Sequence, residues 1–248
     1  MNVRKGAPRT NWTVIQEQTT EAARRGADAV IFPELCEAGA AYDKVSQIAS
    51  TLGSGLFAQL VALSRQHNIH FMGSLFEKRA VNYHNSLVVI SPRGGMMGVY
   101  RKMHLFSPMG EDKWLQPGES PLAINMPWGG TGFAICYDLR FPELFRRYVR
   151  DDVQMIVIPA AWPHPRLAHY RTLLRARAIE NQCYVVAVNQ VGQKDDGTHF
   201  FGHSCVIDPW GDIVVEAGET EAHLTVTLDM DVVSSVRREL PVLQDMRF

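Results

Sequence analysis

Short apolar runs alternate with longer stretches in which apolar residues return every three or four positions, and these two rhythms divide the chain. Runs at residues 28–32, 69–74, 82–91, 96–100, 132–135, 152–158, 183–189, 204–209, 213–216 and 225–229 read as strands. Helical spacing marks a segment from an N-cap at Thr10 or Asn11 to about residue 25, then residues 55–67, the stretch after Tyr137, residues 167–181 and residues 231–238. Ile15, Thr19, Ala22 and Ala23 give the first helix one apolar face, and Gly26 ends it. Pro92-Arg93-Gly94-Gly95 joins two strands as a hairpin, so the sheets are mixed.

A weak internal echo refines the architecture. Arg25-Gly26-Ala27-Asp28 followed by Val30-Ile31-Phe32-Pro33 resembles Arg150-Asp151-Asp152 followed by Ile156-Val157-Ile158-Pro159. Two strand–proline units separated by hairpins predict two mixed β-sheets with helices outside them, an α/β four-layer αββα sandwich. A doubly wound single sheet is the alternative. No linker, low-complexity tract or charge block divides residues 1–248, so one domain is expected.

Composition removes several classes of function. The net charge of −1 gives no basic face for nucleic acid, and no apolar run approaches the roughly 20 residues of a membrane span. Four widely spaced cysteines (Cys36, Cys136, Cys183, Cys205) contain no Cys-x-x-Cys pair, which argues against a disulfide framework and a zinc ribbon and favours the cytoplasm. Residues 101–118 form a long irregular segment inside a compact chain, a length more often functional than not.

The candidate chemistry gathers at strand ends. Cys136 follows the apolar run 132–135 where a helical pattern begins, and backbone N–H groups at such a junction favour a thiolate. The same residue also reads as a small buried hydrophobe. Glu34 follows the strand ending at Phe32-Pro33, and Lys102 the strand ending at Tyr100; each has a plain alternative, as a helix N-terminal charge and a solvated cation. Glu111 lies in the irregular segment, where a surface charge is the ordinary reading. Trp162, just past the strand ending at Pro159, is a pocket wall or a core aromatic. A thiol hydrolase needs a base, a holder for the tetrahedral oxyanion and an acid for the leaving group, and a glutamate and a lysine beside a cysteine supply all three. A cysteine phosphatase fails on spacing, because the sixth residue after Cys136, where Cys-x5-Arg needs arginine, is Pro142. A Cys–His hydrolase through His104, His164, His169 or His203 stays open.

Taken in order, these segments resemble the nitrilase superfamily of carbon–nitrogen hydrolases. Phe32-Pro33-Glu34-Leu35 resembles the segment with the family's general base, Tyr100-Arg101-Lys102-Met103-His104-Leu105-Phe106 the one with its lysine, and Ile135-Cys136-Tyr137-Asp138-Leu139-Arg140-Phe141-Pro142-Glu143 the nucleophile elbow. Residues 175–181 and Asp208-Pro209-Trp210-Gly211 extend the likeness to nearly the full length. The resemblance implies Cys136 as nucleophile, Glu34 as base, and Lys102 with the N–H of Tyr137 as oxyanion holder. Glu111 would be the second glutamate, positioning Lys102 and substrate, and Tyr137 and Trp162 would contact substrate. Phe-Pro-Glu-Leu occurs twice; Glu143, in the elbow helix, is read as structural. Asp138 and Arg140 are expected to brace the elbow, with Arg140 also able to meet an anionic substrate.

The resemblance further implies a small-molecule amide substrate, no metal or organic cofactor and a homodimer. The nearest branch is the ω-amidases, which cleave the terminal amide of a small acid such as 2-oxoglutaramate. Nitriles, N-carbamoyl compounds, and a non-catalytic interaction protein on the same fold are the alternatives. Relatives begin with a core strand before the first helix and continue into a tail across the dimer. Residues 1–6 enter the helix almost directly and the chain stops at residue 248, so either the chain is written from an internal methionine or the first strand is lost.

Overall fold

The computed structural model describes residues 1–93 and 95–247. Its elements in order are α1 (Pro8–Arg24), β1 (Ala29–Ile31), α2 (Val45–Ile48), α3 (Gly55–His67), β2 (His70–Arg79), β3 (Asn82–Ser91), β4 (Gly95–Arg101), β5 (Ala123–Met126) and β6 (Gly129–Phe133). There follow α4 (Pro142–Val149), β7 (Met155–Ala160), α5 (Leu167–Asn181), β8 (Tyr184–Asn189), β9 (Val191–Gln193), β10 (His199–Phe201), β11 (Cys205–Ile207), β12 (Ile213–Glu216), α6 (Asp231–Glu239) and α7 (Val242–Asp245).

Two mixed sheets carry the fold. The first has the order β1-β2-β3-β4 and the second β12-β11-β8-β7-β6-β5. In the first, β1 and β2 are parallel and the rest antiparallel. In the second, β6, β7 and β8 run parallel between antiparallel edges. The side-chain period of two explains the layering. On β3, Leu87 and Val89 face the second sheet and pack with Phe133, Ile135 and Val157, whereas Val88 and Ile90 face Ile15, Phe57 and Leu60 of α1 and α3. Helices α4 and α5 cover the second sheet with Phe145, Tyr148, Tyr170 and Leu174. Gly132 is required by this packing, because a Cβ there would lie 3.0 Å from the Tyr148 ring. The four-layer αββα order is therefore present.

Several local expectations give way to tertiary contacts. Helix α1 starts at Pro8, a favoured first-turn residue, and Asn11 is buried instead of capping it. The Asn11 amide donates to the carbonyls of Arg4 and Glu37 and accepts from the Arg4 N–H, all at 2.7–2.8 Å. Residues 225–229 alternate like a strand but join no ladder, since strand is a property of a pair. Strand β5 and the β9–β10 hairpin are too short and too irregular in pattern to stand out in the sequence. Edge strand β1 and residues 222–228 line a cavity of about 400 Å³ whose wall includes Pro33 but none of Glu34, Lys102 and Cys136.

Candidate active site

The three strand ends singled out by the sequence converge. Glu34 follows β1 in a turn whose next residue, Leu35, has φ +45° and donates its N–H to Ser74 Oγ at 2.8 Å. Lys102 follows β4, its N–H bonded to the Asn85 carbonyl at 2.9 Å. Cys136 follows β6 with φ +49°, a left-handed conformation rare for a residue with a Cβ. That turn points the thiol out of the strand direction toward the glutamate.

Lys102 Nζ donates to Glu34 Oε1 and to Glu111 Oε2, both at 2.7 Å. The Asn85 amide bridges the same carboxylates from the other side, at 2.9 Å to Glu34 and 3.1 Å to Glu111. The Phe106 N–H adds a bond of 2.7 Å to Glu111, and Gln190 holds the Glu34 carbonyl at 2.8 Å. All of these polar side chains are buried. Glu111 thus lies in the interior and is no surface charge. Glu143, from the second Phe-Pro-Glu-Leu, is exposed on α4.

Electrostatics follow from taking two carboxyls, an ammonium and a thiol out of water. Burial pushes the Glu34 carboxyl above its ordinary range; Lys102 opposes the rise and Glu111 adds to it. Burial alone would lower Lys102, yet Glu111 and Glu34 outweigh it and hold the ammonium well above its usual value. The Cys136 thiol is pushed far up, by burial first and by the Glu34 carboxylate second. Lys102 and the backbone N–H of Ala161 offset this only in part.

Burial therefore works against the resting thiolate that the strand-to-helix junction suggested. The element after Cys136 is a single 3-10 turn, Cys136–Arg140, too short to sum a strong dipole, and desolvation of the sulfur dominates. Burial raises the proton affinity of the thiol and of the neighbouring Glu34 carboxyl together.

Around this centre the elbow is tied down. Buried Asp138 accepts from the Ile135 N–H at 2.9 Å, Tyr100 Oη at 2.7 Å and the His104 N–H at 2.9 Å. Arg177, absent from the sequence reading of the elbow, donates to the Leu139 carbonyl at 2.8 Å. Arg140 does not brace the turn: its guanidinium lies 4.6 Å from the Trp162 ring centre. Trp162 is buried in the core that also contains Cys136, and its backbone is clamped by Asn189 at 2.7 and 3.1 Å. The Tyr137 ring packs edge-on against Phe106 and Phe141 at 4.9 and 5.2 Å. The candidate histidines are engaged elsewhere: His104 binds Asp138, His169 lies against Arg140, His203 against Arg171 and Glu216, and His164 near Glu219.

The family model for carbon–nitrogen hydrolases matches residues 1–238. The chain belongs to the carbon–nitrogen hydrolase family. It is 34% identical over 228 residues to the 2-oxoglutaramate amidase of Bacillus subtilis strain 168, across 92% of this chain and 88% of that relative. Saccharomyces cerevisiae Nit3, a member of branch 10 of the nitrilase superfamily, shares the fold with a TM-score of 0.91 at 28% identity, over 100% of this chain and 94% of Nit3. A Glu-to-Gln mutant of the amidase from Nesterenkonia sp. AN1, carrying acrylamide added to its active-site cysteine, gives 0.86 at 25% identity, over 97% and 95% of the two chains. This carbon–nitrogen hydrolase is a nitrilase-superfamily enzyme.

Three features of the hydrolase's site escaped the sequence reading. Asn85 had a usable signal: it shares strand parity with the inward-facing Leu87 and Val89, so a polar residue there had to be buried and partnered. Gln190 and the N–H of Ala161 had none, because each acts through the backbone of a distant segment.

Proposed function

We propose that this enzyme is an amidase of the ω-amidase type, releasing ammonia from the terminal amide of a small acid through a cysteine thioester. The carrying observation is the convergence of Glu34, Lys102 and Cys136 in one dry cluster. Glu34 takes the thiol proton as Cys136 Sγ attacks the amide carbon, and the oxyanion forms near Lys102 Nζ and the Tyr137 N–H. The C–N bond breaks as Glu34 returns that proton to the nitrogen, giving ammonia and the thioester. Water then attacks the thioester carbon, Glu34 takes its proton, and the acid leaves as the proton returns to sulfur.

Glu111 positions Lys102, and with Glu34 keeps it charged in a buried place. Preference for an acidic substrate is supported by two cations. Arg140 lies on Trp162, and Arg166 lies 5.5 Å from the Phe106 ring, which packs on Tyr137. Among the described residues no carboxylate pairs with either, so both are free to meet a substrate carboxylate. The Bacillus subtilis relative, a 2-oxoglutaramate amidase, supports the same substrate class.

Ammonia release measured across ω-amides of dicarboxylic acids, neutral amides, nitriles and N-carbamoyl compounds tests this reading. The largest kcat/KM is expected for an ω-amide bearing a free carboxylate. Turnover confined to nitriles would overturn it.

A further inference from the structure

Away from the catalytic cluster, three segments distant in sequence bring imidazoles and carboxylates together. His164 follows the Trp162 segment, His199 opens β10, and Glu219 follows β12. One ligand atom from each lies within 4.8 Å of the other two. His164 Nε2 is 3.4 Å from Glu219 Oε1, and His199 Nε2 is 4.0 Å from Glu219 Oε2. The two rings stand 4.9 Å apart at 44°. Their backbones are already joined, since the His164 N–H donates to the His199 carbonyl at 2.9 Å.

The surroundings have the composition of a cation site. His203 Nε2 is 3.9 Å from Glu219, and His203 Nδ1 is 3.0 Å from Glu216 Oε1. Arg171 pairs with Glu216 at 2.8 Å, so it offsets one carboxylate and leaves the Glu219 charge unmatched by any arginine or lysine among the described residues.

We propose that His164, His199 and Glu219 bind one divalent first-row transition ion of the zinc class. Two imidazoles and a carboxylate suit Zn²⁺, whereas Mg²⁺ and Ca²⁺ want an all-oxygen shell. A tetrahedral Zn²⁺ at 2.0–2.1 Å from each ligand places neighbouring ligand atoms roughly 3.3 Å apart. The His164–Glu219 separation is already at that value, and the His199–Glu219 gap closes by a small rotation of half-exposed side chains. Three protein ligands leave a fourth position for water. The ion would pin the β9–β10 hairpin and the chain after β12 to the loop that carries Trp162. It is therefore a clamp behind the pocket wall and takes no part in amide cleavage.

The test is titration of the metal-stripped full chain with Zn²⁺ alone, read by calorimetry. It is repeated on C136S, on the H164A/H199A double variant, and on E219Q, which keeps the shape of the side chain. One equivalent should bind to the parent and to C136S. Both other variants should bind about tenfold more weakly or worse. Zn²⁺ should raise the parent Tm but not that of the double variant, and Mg²⁺ should do neither. Co²⁺ should show a nitrogen–oxygen ligand-field spectrum without a thiolate charge-transfer band. Unchanged Zn²⁺ affinity in H164A/H199A and E219Q, or loss of the site in C136S alone, would overturn the proposal.

Discussion

Arg101 and Lys102 are neighbours in sequence, yet β4 delivers them to opposite faces of the first sheet and to opposite tasks. Arg101 makes a two-pronged pair with buried Glu77 at 2.8 and 2.6 Å, completed by Ser86 Oγ on the same carboxylate. One acid meets one base there, and the guanidinium side chain keeps 24% of its surface in solvent. Lys102 meets two acids with 1% of its side chain exposed, beside a thiol. The first arrangement balances its charge and is inert. The second has more acid than base in a dry place, so a proton stays in play. The difference shows that buried ion pairs become chemistry when their charges do not close.

The sharpest break would come from exchanging the consequences of the two cations. Lys102→Ala or Glu34→Gln should lower kcat by about 1,000-fold, while Arg101→Ala leaves kcat per folded molecule unchanged. Equal losses in the two cation variants would show that the faces are not functionally separate.

Glu111→Gln should lower kcat by about 100-fold and also move the acid limb of the pH profile. Glu34 must be unprotonated to accept the thiol proton, so activity rises with pH through its raised value. Burial is the main cause of that rise and the Glu111 charge adds to it, so removing the charge moves the acid limb to lower pH. A limb that stays put, followed by kcat/KM against pH, would separate Glu111 from the proton balance.

On the inert face the expected effect is on folding. Arg101→Ala should destabilise by about 2 kcal/mol, read from chemical denaturation, because Glu77 stays buried without its cation. The last effect appears only as a pH dependence and concerns Glu37, whose carboxyl burial pushes up to about 8. Its folded proton affinity exceeds the unfolded one, so its contribution to stability is complete at acid pH and declines as pH rises toward 8. Parent Tm should therefore fall from pH 5 to pH 8 more steeply than that of Glu37→Gln, by about ten degrees. Parallel curves would mean that the folded protein holds this carboxyl ionised.

Much of this was legible in the chain. The apolar rhythm of 167–181 is α5 to the residue, and the runs before Glu34, Lys102 and Cys136 end where the strands end or within a few residues of it. Those signals are local: periodicity, turn residues and the change from strand to helix all lie within a few positions of each other. Other signals were misread for the same reason. Asn11 looks like a cap and is a tertiary tie, and residues 225–229 look like a strand but find no ladder. Cys136 sits at a strand–turn junction that argued for a thiolate, while burial in the surrounding core raises the thiol's proton affinity.

By itself, then, the sequence determined the layered fold, the reactive residue types and their order along the chain, because hydrophobic period and covalent spacing are written in it. Only the tertiary structure decided which glutamate faces the sulfur and that Asn85 bridges two acids. It also decided that Arg101 and Lys102 part company and which proton affinities rise. Those properties depend on dielectric and distance between segments up to 156 positions apart, as in the Gln190–Glu34 bond, and no local pattern encodes them.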